Sequence, residues 1–271
     1  MSISVIADSG YCAIMKLNNG NIFSNETIRF NTSEDKVMKR NCSIDDISDG
    51  KLYDANDLVE ANCNSCKGNA TCCHGMGNSI ILDPYDIYRL TTKLDCTFEE
   101  LLLDKIELNM VDGIILPNLK MTDLTEGCAF LNNAGKCSIH AYRPGICRIF
   151  PLGRYYDNHN FKYFLQINEC RNNNKTKIKV SKWIDTPDLK QNEQFLIDWH
   201  YFLNTAENIV KNMQDEKLIK KLVMYLLSSV YLEKYEADRD FYLQFNERLS
   251  EAKRVVDSKS SGVKRVVKPK E

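Results

Sequence analysis

The sequence predicts an α+β protein in which a loop-rich cysteine metal centre with a small strand pair is packed on a C-terminal helical layer. Three observations lead there. Nine of the eleven cysteines lie between Cys63 and Cys170. Phe161-Lys-Tyr-Phe-Leu-Gln-Ile167 is rich in aromatic and branched residues, as strands are, and follows a turn at Asp157-Asn158-His159-Asn160. From about 188 to 250, apolar residues recur at helical spacing.

Four segments follow from this patterning. Residues 1–60 are weakly patterned, with short apolar pieces (Ser4-Val5-Ile6-Ala7 and Cys12-Ala13-Ile14-Met15) that suit short strands or hairpins, and Asn/Gly turns such as Asn18-Asn19-Gly20-Asn21. Residues 61–180 form the cysteine-cluster metal-binding domain. Within it, Asp83-Pro84 marks a helix start with proline at the first position, running through Leu90. Thr97-Phe-Glu-Glu100 has capping-box spacing and opens a second helix through Ile106. Residues 149–156 are expected to pair with 161–167 as a hairpin. Residues 181–250 are helical and packed on that domain, with stripes at Leu189, Phe195/Leu196, Trp199, Phe202/Leu203 and Val210, at Leu218, Leu222, Leu226 and Val230, and at Phe241, Phe245 and Leu249. Residues 251–271 hold seven Lys/Arg, three acidic residues and no aromatic, and are expected to be a disordered basic tail.

Composition narrows the function classes. With 43% hydrophobic and 27% charged residues, the chain can bury an ordinary core. The formal net charge is −1, so no global field argues for nucleic acid or an anionic membrane. No stretch matches a signal peptide or a membrane-spanning helix; the best apolar run, Leu222 to Val230, is broken by serines. The expected location is cytoplasmic. There, thiols stay reduced, so clustered cysteines point to metal or redox chemistry rather than to structural disulfides. Eleven cysteines also cannot all pair within one chain.

The spacing of the thiols carries the chemistry. The first group reads Cys63-Asn-Ser-Cys66, five residues, then Cys72-Cys73; the second reads Cys128, eight residues, Cys137, nine residues, Cys147, followed by Cys170. Soft metals take thiolate, and a C-x-x-C step lets two sulfurs from one turn reach one ion. These eight are the candidate metal ligands. Adjacent side chains usually diverge, so Cys72 and Cys73 are expected to split: one sulfur joins Cys63 and Cys66, the other faces the second group. That arrangement gives two nearby metal sites or one polynuclear centre. Spacing does not separate zinc from an iron–sulfur cluster, since both take four cysteines. A usual zinc ribbon pairs two C-x-x-C steps, and here there is one. Cys12, Cys42 and Cys96 are isolated and read as small buried hydrophobes. His74 and His140 stand near the thiols but, with eight sulfurs present, are expected outside the ligand set. Arg143 and Arg148 flank Cys147 and can offset thiolate charge.

Taken together, Cys63-x-x-Cys66…Cys72-Cys73-His-Gly-Met-Gly, Ile81-Leu-Asp-Pro-Tyr-Asp-Ile87, Gly127-Cys128-Ala-Phe-Leu131, Cys137-Ser-Ile-His140 and Tyr142-Arg-Pro-Gly-Ile-Cys-Arg-Ile-Phe-Pro151 resemble the YkgJ-like cysteine-cluster family over about residues 60–170. The resemblance implies zinc or iron chelation. The family's shorthand is C-x-x-C-x-x-C-C, whereas here five residues, Lys67 to Thr71, precede the pair. Flagellin lysine N-methylase is a more distant resemblance, one that implies an iron–sulfur cluster beside the same motif. This chain has no G-x-G-x-x-G cofactor loop, so methylation is not carried over.

The function expected first is a metal-binding protein, with zinc or an iron–sulfur cluster held by the eight cysteines in a structural or redox role. The alternatives are an enzyme in which that centre assists redox or group-transfer chemistry, and an interaction module that uses the basic tail. No membrane or clear nucleic-acid partner is indicated.

Overall fold

The structure is a computed structural model that describes residues 2–7, 11–16, 44–62, 71–122, 126–167 and 175–263. In chain order its elements are β1 (Ser2–Ala7), β2 (Tyr11–Lys16), α1 (Ile44–Ile47), β3 (Leu58–Asn62), a 3-10 turn (Thr71–Cys73), α2 (Pro84–Leu94) and α3 (Phe98–Asp104). Then come β4 (Ile106–Val111), β5 (Ile114–Leu119), a 3-10 turn (His140–Tyr142), α4 (Gly145–Ile149), β6 (Leu152–Asp157), β7 (Asn160–Leu165), β8 (Thr176–Lys179) and α5 (Val180–Ile184). The chain ends in α6 (Leu189–Asn212), α7 (Glu216–Leu227), a π turn (Ser228–Leu232) and α8 (Phe241–Val263). The fold is α+β with C-terminal helices, as expected. Among the described residues the strands form four antiparallel pairs: β1–β2, β3–β8, β4–β5 and β6–β7.

The chain divides into two compact units rather than the single one expected. One comprises Met1–Met38, Ile81–Lys120 and Phe202–Glu271, and the other Lys39–Ile80 and Met121–Tyr201. The segment 81–120 therefore folds with the C-terminal helices, not with the cysteine loops. The reason lies in its side chains: Leu82, Leu90, Leu101, Ile106, Leu108 and Leu116 are almost fully buried, and so are Leu227 and Phe245 of the same unit. Phe241 stands 5.0 Å from Tyr85, 5.1 Å from Tyr88 and 4.9 Å from Tyr235 between ring centroids, within the range of favourable aromatic pairs. Tyr231 donates to the Leu82 carbonyl at 3.1 Å.

Helix starts follow the sequence signals. Asp83 caps α2 with a reciprocal bond to Asp86, with Pro84 at the first position, and Thr97 and Glu100 form the box that opens α3. α3 stops at Asp104 rather than Ile106, because Ile106 is the first residue of β4. The turn between β4 and β5, Asp112-Gly113, has positive φ at both residues, as a tight hairpin of this kind requires.

In the second unit, β6 and β7 form the expected hairpin, with Leu152 opposite Leu165 and Asp157 opposite Asn160. A Cβ at Gly153 would collide with the ring of Phe164, so only glycine lets that ring lie across β6. β3 pairs with β8, which sets Asn62, the residue before Cys63, opposite Thr176. Trp183 of α5 donates its indole N–H to the Ile149 carbonyl at the end of α4, at 3.1 Å.

The N-terminal pieces do form a hairpin, β1–β2, in the first unit; the turn expected at 18–21 lies outside the described residues. The helical stripes are buried as expected, except that Leu218 is exposed and Leu189 only half-buried. The expectation of a disordered tail from residue 251 is corrected: α8 continues to Val263. Ala252 and Val256 are buried and extend the Phe241, Phe245 and Leu249 stripe, and Arg254 pairs with Glu251 one turn away. Residues 264–271 lie outside the described residues.

Candidate metal centre

Cys72, Cys73, Cys128, Cys137 and Cys147 all lie in the second unit, on short turns rather than on long elements. Such turns need external ties, and the backbone supplies them. The Cys128 N–H donates to the Cys73 carbonyl at 2.7 Å, and the Gly75 N–H to the Glu126 carbonyl at 2.8 Å. His74 bridges to Gly127 and Met121 to Cys128. Farther along, Leu131 bridges to Cys137, while Ser138 bonds the Phe130 carbonyl through both its N–H, at 2.9 Å, and its hydroxyl, at 2.8 Å. Isolated bridges and single backbone bonds thus tie the Cys72–Cys73 turn to Cys128, and the 128–131 loop to Cys137, with no sulfur taking part.

The pair itself corrects an expectation. Cys72 and Cys73 were expected to point two ways, yet their sulfurs are 4.0 Å apart. Both belong to the tight turn Thr71–Cys73. Two thiolates about 2.3 Å from one tetrahedral ion stand about 3.8 Å apart, so this spacing suits a shared ion.

Electrostatics tie the pair to the second group. The two thiols share a hydrogen bond, which pushes Cys73 up and Cys72 down to about 6; burial opposes the latter shift, while Arg143 and His74 add to it. The Cys73 thiol is pushed up further by burial and by the charges of Cys72, Cys128 and Cys137. Burial raises Cys137, with a backbone hydrogen bond at Ile139 and the charge of Arg143 acting against it. Cys72, Cys128 and Cys137 therefore all lie within charge–charge reach of Cys73. Among the described residues, no three His, Cys, Asp or Glu side chains already converge as a ligand set.

The other predicted residues fall as follows. Cys147 is half-buried on α4. Cys63, Cys66, Cys170 and Cys42 lie outside the described residues. Cys12 is on β2, opposite Ile6. Cys96 lies between α2 and α3 in the first unit, away from the cysteine turns in the chain's division, and burial raises its thiol. His140 Nε2 accepts from Arg143 Nη1 at 3.2 Å, and burial, with Arg143 and Arg148, lowers its pKa. The site residue that spacing did not single out is the backbone of Cys73, whose carbonyl anchors Cys128.

The donor chemistry fits a thiophilic metal: two sulfurs at ligand spacing, one with a lowered pKa, and a cation whose charge acts on it. This defines a cysteine-rich metal-chelating class. Residues 62–181 match the family model CxxCxxCC, described as "Putative zinc- or iron-chelating domain". No curated protein and no solved structure matches the chain. No helix among the described residues is long and apolar enough to cross a membrane.

Proposed function

We propose that this chain is a metal-binding protein that holds zinc or iron through cysteine sulfur, with Cys72, Cys73, Cys128 and Cys137 as the inner set and Cys63, Cys66, Cys147 and Cys170 completing eight ligands. The observation that carries the reading is the 4.0 Å separation of the Cys72 and Cys73 sulfurs in a turn bonded directly to Cys128. Bound metal would supply either a cross-link between the cysteine loops or, as an iron–sulfur cluster, an electron-transfer centre. The residues' own part is to present sulfur already partly deprotonated. Binding draws Cys128 and Cys137 onto the preset pair, so metal uptake and local ordering are coupled. The cytoplasm, where thiols stay reduced, suits such a site.

X-ray absorption at the metal edge of loaded protein tests the ligand set. The reading expects a shell of sulfur near 2.3 Å, the zinc–thiolate distance. A shell of nitrogen and oxygen alone would sink it.

A further inference from the structure

The loop that carries Cys147 holds two arginines, and they are placed differently. Arg148 is 6% exposed, and both its terminal nitrogens hold backbone: Nη1 donates to the Asp185 carbonyl at 3.0 Å and Nη2 to the Ala141 carbonyl at 2.8 Å. Its guanidinium clamps the start of the loop to the end of α5.

Arg143 holds no backbone carbonyl among the bonds described. It sits between the His140–Tyr142 turn and Pro144, in the extended backbone that a following proline favours, with φ −53° and ψ 151°. Its Nη1 is 3.2 Å from His140 Nε2. Its Nε is buried and, among the described residues, has no hydrogen-bond partner. Leaving a buried donor unpaired costs on the order of 1–3 kcal/mol, so such a group calls for an acceptor. The groups within reach of its charge are Cys72 and Cys137, both sulfurs of the proposed inner set.

We infer that Arg143 is a positioning residue of the metal centre: its buried Nε–H is the donor for a metal-bound thiolate on the Cys72–Cys137 side, and its charge offsets that of the sulfurs. This rests on the metal reading above. Metal-bound thiolate is an anionic acceptor in a half-buried place, where a charge-assisted bond is stronger than a neutral one. His140, whose pKa is lowered by burial and by the two arginines, can accept from Nη1 and so fix the plane of the fork. Arg148 is set apart from Arg143 because both its terminal nitrogens hold backbone carbonyls, which fixes its guanidinium to the end of α5.

Cobalt(II) serves as probe, since its thiolate charge-transfer bands report the sulfurs directly. Wild type, Arg143→Ala and Arg143→Lys are loaded with cobalt and titrated with a chelator, and the metal-free chains are unfolded in urea. Loss of an outer partner of a metal ligand typically costs about 10–100-fold in metal affinity. Arg143→Ala is expected to lose cobalt about 10-fold more readily and to shift the charge-transfer band, while the urea midpoint of the metal-free chain stays at the wild-type value. Arg143→Lys is expected to recover part of the affinity but not the band position, because it restores charge without the Nε–H. Wild-type retention and band in both variants would overturn the inference while leaving the metal reading intact, as would a fall in metal-free stability that accounts for the lost affinity. If Arg143→Ala does not fold, an unshifted band in Arg143→Lys overturns the inference by itself. Failure of the wild type to take up cobalt with thiolate bands overturns both.

Discussion

Cys72 and Cys73 meet at 4.0 Å in a tight turn that is held from outside by the Cys73 carbonyl. Their consequence is separable by substitution. Cys72→Ser and Cys128→Ser are each expected to weaken metal binding by more than the roughly 10–100-fold seen for outer partners, since a ligand atom itself is changed. Cys96→Ser, in the other unit, is expected to leave it unchanged. Chelator competition reads all three, and equal affinities across the set would contradict the ligand assignment. Arg148→Ala should behave differently again. It strips donors from two backbone carbonyls in a buried place, so it should lower stability by about 1–3 kcal/mol in urea unfolding, with the denaturant slope unchanged. An unaltered midpoint would remove the clamp from the account. At this scale spacing singled out eight cysteines, and among them Cys72, Cys128 and Cys137 lie within charge–charge reach of Cys73. It did not carry the direction of adjacent side chains, because that depends on whether Cys72-Cys73 is extended or turned, and the tie that decides it comes from Cys128, far along the chain. Nor could it part Arg143 from Arg148, whose surroundings are set by α5 and by the His140–Tyr142 turn.

Elements with local chemistry were legible. Asp83, Pro84 and Thr97 mark helix starts because capping is settled within four residues. The β4–β5 hairpin was equally local, and its signal, Asp112-Gly113 between apolar runs, was present but overlooked. That turn gives a sharp prediction. Gly113 has φ +82°, and a Cβ there would lie 3.0 Å from Val210 Cγ1. Gly113→Ala should therefore cost about 1–3 kcal/mol, through backbone strain and crowding together. Thermal unfolding checks this, and an unchanged midpoint would mean that the turn relaxes freely. The last helix was the opposite case. Beyond Leu249 the composition is that of a tail, yet only two small apolar residues, Ala252 and Val256, suffice to keep α8 packed. Composition averages over such sparse contacts, so it placed the end of order too early.

Over the whole chain, the two compact units interleave, with 81–120 joining the C-terminal helices while the segments on either side carry the cysteines. Segment-by-segment reading cannot see this, because burial partners far apart in sequence decide it. The matched segment 62–181 therefore draws on both units. The central claim is that the thiol set of this segment holds metal. Purification without oxygen, followed by elemental analysis and a visible spectrum, tests that claim most directly. The account predicts stoichiometric zinc or iron, colourless for zinc and coloured for an iron–sulfur cluster, and its loss in Cys72→Ser. A folded, fully reduced protein that carries neither zinc nor iron would contradict it.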